Sequence, residues 1–554
     1  MLPPFTELSP LRALLLYAIP FLYLLAAVAP GSSARTLEIG WWTARWAAAL
    51  AVVCAAASLC GFLIDGPALN RGGDILALGE AGVLRAGVRA DALATSVGLL
   101  VSFIGWVIVA YSQRYMGGDA HQKRYIRALM LTLASVSVLV ITNNLLVLAL
   151  AWIATSVALN GLLTHFDDRL PALMAAHKKF IASRFADLCL LGAVALIAST
   201  LGSLEIDEVL ARAEALPAFP PALQGAAVLL VLAALLKCAQ LPVHGWLIQV
   251  MEAPTPVSAL LHAGVVNLGG FLLIRLAGLV SEVWLAQTLL VVVGSLTAAL
   301  AALVMMTRIS IKVALAWSTC AQMGFMLMQC GLGMYSLALL HLIAHSLYKA
   351  YAFLGAGGAV EQARLAQMAP PEPVIGAARW IVSALLGVAT VVPAAAIWGV
   401  QFASAPALWA LAAIVCLALA PLFAGRMLLA GANWTCTVVA AAFAVALAWF
   451  GLHELAEWWL ASSGLAEVPA SRADALQIGW VLAVFAGLFA LQSAIRAQPQ
   501  GTLARCLYPY MFAGLYLDEL FTRVTFIVWP VREPAAPPGG RVALDALRSE
   551  GGAR

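Results

Sequence analysis

Apolar runs follow one another along almost the whole chain, separated by short polar stretches. Residues 11–29, 44–64, 93–110, 257–274, 405–424 and 478–494 are examples, rich in Leu and Ala and punctuated by Gly. Each approaches the roughly 20 residues that carry a helix across a hydrocarbon core. Helices suit them because a helix satisfies its own backbone hydrogen bonds where no water is present. The length criterion predicts about 14 to 16 transmembrane helices, the number staying open where runs adjoin. The first run begins near Leu11 and is followed by many others, so it reads as a first span and not as a cleaved signal peptide. The predicted fold class is an all-α polytopic membrane protein embedded in a lipid bilayer.

Composition narrows the picture. Of 554 residues, 63% are hydrophobic and 10% charged, against about 25% charged in an ordinary soluble domain. No soluble fold of this length hides that much apolar surface. The net charge of +4 is too small and too dispersed for a nucleic-acid partner. Nine cysteines are scattered through apolar runs without a CxxC pair, which argues against an iron–sulfur or structural zinc site and for small packing residues. The sequence shows no metal-ligand cluster, nucleotide loop or nucleophile–base constellation, so no catalytic residue, metal or cofactor is expected in this chain, and it is not expected to be an enzyme. His121, His165, His177 and His453 lie in or beside loops and are expected to be solvated.

Loop charge predicts orientation. Arg114, Lys123, Arg124 and Arg127 lie between two spans, and the stretch 165–179 carries Arg169, Lys178 and Lys179; both should be cytoplasmic by the positive-inside rule. The acidic stretches with Glu205, Asp207, Glu208 and Glu214, and with Glu454, Glu457 and Glu467, should lie on the other side. A tight turn at Asn143 between two spans agrees with this. Pro242 and Pro393 are expected to interrupt helices in two corresponding parts of the chain, and proline-broken helices mark the binding region of many transporters.

Ionisable residues inside apolar spans are costly, and each is a functional candidate. Lys178, Arg184 and Asp187 open one span. Arg184 and Asp187 are three apart and form either a structural ion pair or part of a path. Lys178 and Lys179 stand near a helix start, and for Lys179 snorkelling to the interface is the expected behaviour. Lys237 follows at least seven apolar residues and precedes Pro242. Glu252 and His262 flank a break at Pro254 and Pro256, and Lys312 opens a further span. His341, His345 and Lys349 recur every four residues and share one helix face. Histidine titrates near neutral pH, and a desolvated lysine loses proton affinity. Such groups beside unwound backbone suit a hydrated proton or cation path.

Several motifs resemble the antiporter-like membrane subunits of respiratory complex I and of Mrp-type sodium/proton antiporters. They are Tyr111-Ser-x-x-Tyr-Met116, Lys178-Lys-Phe-Ile-Ala-Ser-Arg-Phe-Ala-Asp187, Lys237-Cys-Ala-Gln-Leu-Pro-Val-His-Gly-Trp246 and Ala253-Pro-Thr-Pro-Val-Ser-Ala-Leu-Leu-His262. To these are added Ile311-Lys-Val-Ala-Leu-Ala-Trp-Ser-Thr-Cys-Ala-Gln-Met-Gly324, His341-Leu-Ile-Ala-His-Ser-Leu-Tyr-Lys349 and a weaker echo at Ala513-Gly-Leu-Tyr-Leu-Asp518. The resemblance implies two inverted five-helix repeats, each with a broken helix. It implies N-terminal spans with an extracytoplasmic loop at 1–110, a first repeat at 111–280, a degenerate second repeat at 281–430, C-terminal spans at 431–530, and a disordered or partner-bound tail at 531–554. By position it places Lys237 on the central pumping lysine and Lys178, His262, Lys312, His341, His345 and Lys349 on relay positions.

Departures refine the resemblance. Ile153 follows Trp152 where the family carries a carboxylate, and no Asp or Glu occurs in 145–166. Gln249 stands near a family Asp, no lysine follows Lys349, and 376–398 holds only Arg379. The long lateral helix of the complex I version is not expected. These features, with the stretches 244–254 and 314–324, are similar to the DabB family of membrane subunits of energy-coupled inorganic-carbon pumps. That likeness implies a DabA-like cytoplasmic zinc partner resembling carbonic anhydrase, zinc being the partner's cofactor, and cation influx coupled to carbon dioxide hydration at a bacterial inner membrane. The alternatives are a pump subunit of a complex I, hydrogenase or Mrp-type assembly, and a non-transporting scaffold.

Overall fold

In hydrocarbon every peptide group must find its partner within the protein, and the apolar runs accordingly fold as helices. The computed structural model describes residues 5–79, 82–166, 169–368, 375–401, 405–425, 432–461 and 474–530. Glu467 and the tail 531–554 lie outside the described residues.

α1 (Pro10–Val28) and α2 (Ala34–Asp65) pack as a hairpin, and α1 also lies against α4. Next come α3 (Ala92–Tyr115), α4 (Gln122–Ile141), α5 (Leu145–Leu163) and α6 (Leu170–Leu201). Short α7 (Ile206–Glu214) leads into α8 (Pro221–Lys237), which runs along α6. The broken region holds α9 (Gly245–Gln249), α10 (Thr255–Ala263) and α11 (Leu268–Arg275), then α12 (Ala277–Val280). α13 (Trp284–Met305), α14 (Ile311–Gly331) and α15 (Tyr335–Leu354) complete the part that carries the titratable residues. α16 (Ala359–Met368), α17 (Ala377–Ile397), α18 (Pro406–Ala424), α19 (Ala432–Ala461) and α20 (Ala475–Ala497) follow, and α21 (Thr502–Phe512) and α22 (Leu517–Val528) end the described chain. Among the described residues, 14 spans are long and apolar enough to cross a bilayer, with α10 and α11 together making one; α8 is a shorter apolar helix. One apolar core joins α1 to α15, and a second, around Val291, Phe423 and Phe450, ties α17 to α20 onto α13 and α15. Large apolar side chains such as Leu11, Trp42, Leu188 and Ile381 face outward, as lipid-exposed positions do.

Chain breaks fall at some of the predicted prolines and not at others. α8 ends at Lys237, Ala239 takes φ 51°, and Pro242 lies in the non-helical link to α9. The backbone leaves the helix at Ala253 and Pro254, as predicted, and Pro256 lies in the first turn of α10, where a proline has no N–H to lose. The break in that span comes one residue after Ala263, at Gly264. Pro393 lies inside a continuous α17, one turn from its end, where the prolyl nitrogen forfeits a single backbone bond. The predicted interruption there does not occur.

Polar end caps hold the bundle. In the loop 66–91, β2 (Ala68–Asn70) pairs in parallel with β1 (Thr6–Glu7) and antiparallel with β5 (Val88–Ala90), while β3 (Asp74–Ala77) pairs with β4 (Val83–Arg85). At the same end, Asn143 and Asn144 of the tight α4–α5 turn donate to Glu205 at 2.8 and 2.9 Å. Burial raises the Glu205 carboxyl above its usual range. Asp91 takes bonds from Arg89 (2.8 Å) and Arg275, all three buried. Burial works against its ionisation, but the two guanidinium groups outweigh it and hold the carboxyl well below the usual range. Arg124 binds Thr164 at the opposite, basic end.

Candidate functional site

Lys237 closes α8 with its side chain among α5 and α6, and it is 4% exposed. Its ammonium donates to Ser156 Oγ at 2.6 Å and sits 4.3 Å from the Trp152 ring centre. Asp187, buried on α6, is ion-paired with Arg184 at 2.6 Å and lies within Coulombic reach of Lys237 and Lys179. The Arg184–Asp187 pair therefore borders the Lys237 site, although α5 brings no carboxylate to it. Lys179 does not snorkel. It is 2% exposed and donates to the Ser156 carbonyl oxygen at 2.6 Å, because its face of α6 packs against α5 and α8 instead of reaching the interface.

A second group surrounds α15. His345 Nδ1 faces Gln322 Oε1 at 2.5 Å and its Nε2 faces the His262 carbonyl oxygen at 3.1 Å. Two acceptors on one imidazole is the pattern of the charged ring, and a half-turn of the Gln322 amide would serve the neutral ring. His341 Nδ1 meets Gln329 Oε1 at 3.1 Å, and the two histidine rings are 6.0 Å apart. Lys349, fully buried, donates to Ser318 Oγ at 2.8 Å and to the Leu315 carbonyl at 3.1 Å. The His262 ring stacks on Phe353, with centroids 4.4 Å apart.

Among the described residues no hydrogen bond joins the Lys237 and His345 groups directly. The broken span touches both: Cys238 Sγ donates to the Val266 carbonyl (3.1 Å), and Asn267 Nδ2 donates to Ser346 Oγ (2.7 Å). Lys312 donates to Thr255 Oγ1 at 2.7 Å, whose hydroxyl is 3.5 Å from Tyr115 OH. This brings the tyrosine motif and the Pro-Thr-Pro motif together. Glu252 is half-buried in the turn before Pro254 and contributes no hydrogen bond to either group.

Asp518 was not singled out as a path residue by sequence reasoning. It comes from α22, accepts from Lys178 Nζ at 2.7 Å and from Gln249 Nε2 at 2.9 Å. A Cβ on Gly245 would lie 1.5 Å from its Oδ1, so only glycine leaves room for it there. The available signal was the echo 513–518; what connects it to Lys178 is visible only in three dimensions. Of the four histidines expected in water, His121 is exposed and three differ. His165 is 3% exposed against Asp119, His177 stacks on Trp529, and His453 is 2% exposed. His453, Glu454 and Glu457 hold donor atoms within 4.8 Å of one another, a grouping that sequence spacing did not suggest.

Residues 142–370 match the family model described as "NADH:quinone oxidoreductase/Mrp antiporter, TM", and residues 81–126 match "NADH-Ubiquinone oxidoreductase (complex I), chain 5 N-terminus". The "Probable inorganic carbon transporter subunit DabB" of Hydrogenovibrio crunogenus is 42% identical over 446 residues, 78% of this chain and 82% of the relative. The chain belongs to the DabB family. A DabB2 protein of Halothiobacillus neapolitanus is 38% identical over 537 residues, 96% of this chain and 97% of the relative. Among solved structures, the Mrp complex from Dietzia sp. DQ12-45-1b aligns with a TM-score of 0.64 at 25% identity, covering 98% of this chain; this chain spans 63% of that one. As a DabB-family chain with 14 candidate spans, it is a multi-pass membrane subunit of antiporter-like architecture.

Proposed function

We propose that this chain conducts cations, protons above all, as the membrane subunit of an inorganic-carbon uptake complex. In this reading cation influx drives carbon dioxide hydration by a cytoplasmic zinc partner resembling carbonic anhydrase. The observation that carries the reading is Lys237: a buried amine whose one hydrogen-bond partner among the described residues is a neutral hydroxyl, 2.6 Å away. A structural ammonium at that depth would sit against a carboxylate; a neutral partner leaves the amine free to give its proton up. The Arg184–Asp187 pair supplies nearby charge without binding Lys237 directly. Lys178, Lys312, His262, His341, His345 and Lys349 line the remainder of the route.

The energetics suffice. One proton falling through ~150 mV releases about 3.5 kcal/mol, a bias of more than two decades on a near-balanced hydration reaction. The test is purification of the tagged chain from its own membranes, joined to uptake of labelled inorganic carbon. A zinc protein should accompany the chain, and Lys237→Ala should abolish uptake in an assembled complex. Flavin and iron–sulfur subunits in its place would assign the chain to a redox pump. Undiminished uptake by Lys237→Ala would remove Lys237 from the route.

A further inference from the structure

Two buried amines from different helices end on one serine. Lys179 of α6 donates to the Ser156 carbonyl oxygen and Lys237 of α8 to the Ser156 hydroxyl, each at 2.6 Å. Their exposures are 2% and 4%. One bond to a carbonyl does not offset the cost of stripping water from an ammonium, so Lys179 is a poor fastener for two helices. Among the described residues the charged and titratable groups facing the pair are few, and Cys238, next to Lys237, is a thiol that donates to the Val266 carbonyl. α6 contributes Arg184 and Asp187, already joined at 2.6 Å, and α5 contributes the neutral Trp152 and Ser156. With both amines charged, these four groups (Lys179, Lys237, Arg184, Asp187) carry three positive charges against one negative. Like charges in one poorly solvated compartment do not titrate independently; the pair takes a first proton readily and resists a second.

We propose that Lys179 and Lys237 form a paired-amine site that holds one exchangeable proton, with Lys179 as the immediate donor to Lys237 across Ser156. In the transfer one N–H bond of Lys179 breaks and one N–H bond of Lys237 forms; the Ser156 carbonyl holds the first amine and the Ser156 hydroxyl the second, and neither oxygen is protonated. The charge of the pair stays +1, and no other reactant takes part. This rests on the reading of Lys237 as a path residue, and Lys179 then sets how tightly Lys237 holds its proton.

The test is proton flux into proteoliposomes carrying the full chain with its co-purified partner, measured against pH. Lys179→Gln keeps an N–H donor for the Ser156 carbonyl and cannot titrate; Lys179→Arg keeps the charge and does not release it. Either variant, once shown by gel filtration to assemble, is sufficient. Flux should fall at least about tenfold in both. In Lys179→Gln the alkaline limb of the residual flux should move up by about one pH unit, because Lys237 keeps its proton longer without a neighbouring charge. Flux within about twofold of the unaltered protein, or an unmoved limb in Lys179→Gln, overturns the paired site. If Lys237→Ala is inactive in the same preparations, that result leaves the reading of Lys237 standing. Undiminished flux in Lys237→Ala overturns that reading itself.

Discussion

Lys178 and Asp518 are 340 residues apart in the chain, and their side chains meet at 2.7 Å. This contact fastens α22 to the start of α6 and brings the C-terminal segment beside α9. Arg308 and Thr307 bind the Met511 carbonyl oxygen at 3.0 and 3.4 Å on the other side of the same segment. The α21–α22 segment therefore closes over Lys178 and α9.

Asp518→Asn should loosen that closure. The Asp518 side chain is 30% exposed, so screening reduces the loss from the usual range for charged hydrogen bonds to about 1 kcal/mol. Limited proteolysis between α20 and α22 should quicken, and flux should fall. The double variant Lys178→Met/Asp518→Asn should recover protease resistance without recovering flux, since neither charge is then left unpaired. Equal resistance in all three proteins would deny the fastening role.

Gln249 and Asp518 share one position for charge, because the amide of the first binds the carboxylate of the second at 2.9 Å. Gln249→Asp alone should destabilise the chain by setting two carboxylates side by side. Gln249→Asp with Asp518→Asn should restore both melting temperature and flux, the carboxylate having moved across the contact. A double variant no better than Gln249→Asp would show that Asp518 acts through something other than its charge.

Asp91→Asn should cost about 3–5 kcal/mol, because Arg275 and Arg89 would remain buried without their carboxylate. The carboxyl lies below its usual range in the folded chain. Its contribution is thus present above the ordinary carboxylate value near pH ~4 and disappears as pH falls through its folded value. Melting of the unaltered protein should drop on acidification below that point, and the variant should lack this component. Flux per assembled molecule should be unchanged, since Asp91 stands at the far polar end, outside the proposed route.

His345→Gln should separate relay from packing. Glutamine still offers a donor and an acceptor toward Gln322 and the His262 carbonyl but does not carry a proton near neutral pH. Flux should fall by about ten- to a hundredfold with melting within about 2 °C of the unaltered protein. Unchanged flux would place His345 among the packing residues.

Much of this architecture was readable from the residues themselves. Runs such as 11–29 and 478–494 carry the length and composition of a span, and both fold as helices (α1 and α20). The four-residue spacing of His341, His345 and Lys349 put them on one face, and that face binds Gln329, Gln322 and Ser318. The misreadings share one cause: local sequence does not reveal which neighbour a side chain meets. Lys179 looked like an interfacial lysine because α6 begins at a basic loop, whereas packing against α5 turns it inward to Ser156. Pro393 looked like a break because proline opposes helix interiors, but it stands one turn from a helix end. Asp518 could not be matched to Lys178 from spacing, because 340 residues of chain intervene.

Proton conduction through Lys237 is tested most directly by imposing a pH step on proteoliposomes that hold the assembled complex and following internal pH with a trapped dye. Flux should be clear in the unaltered protein and fall to the lipid background in Lys237→Ala, with both preparations monodisperse. Equal acidification rates in the two would contradict a route through that amine.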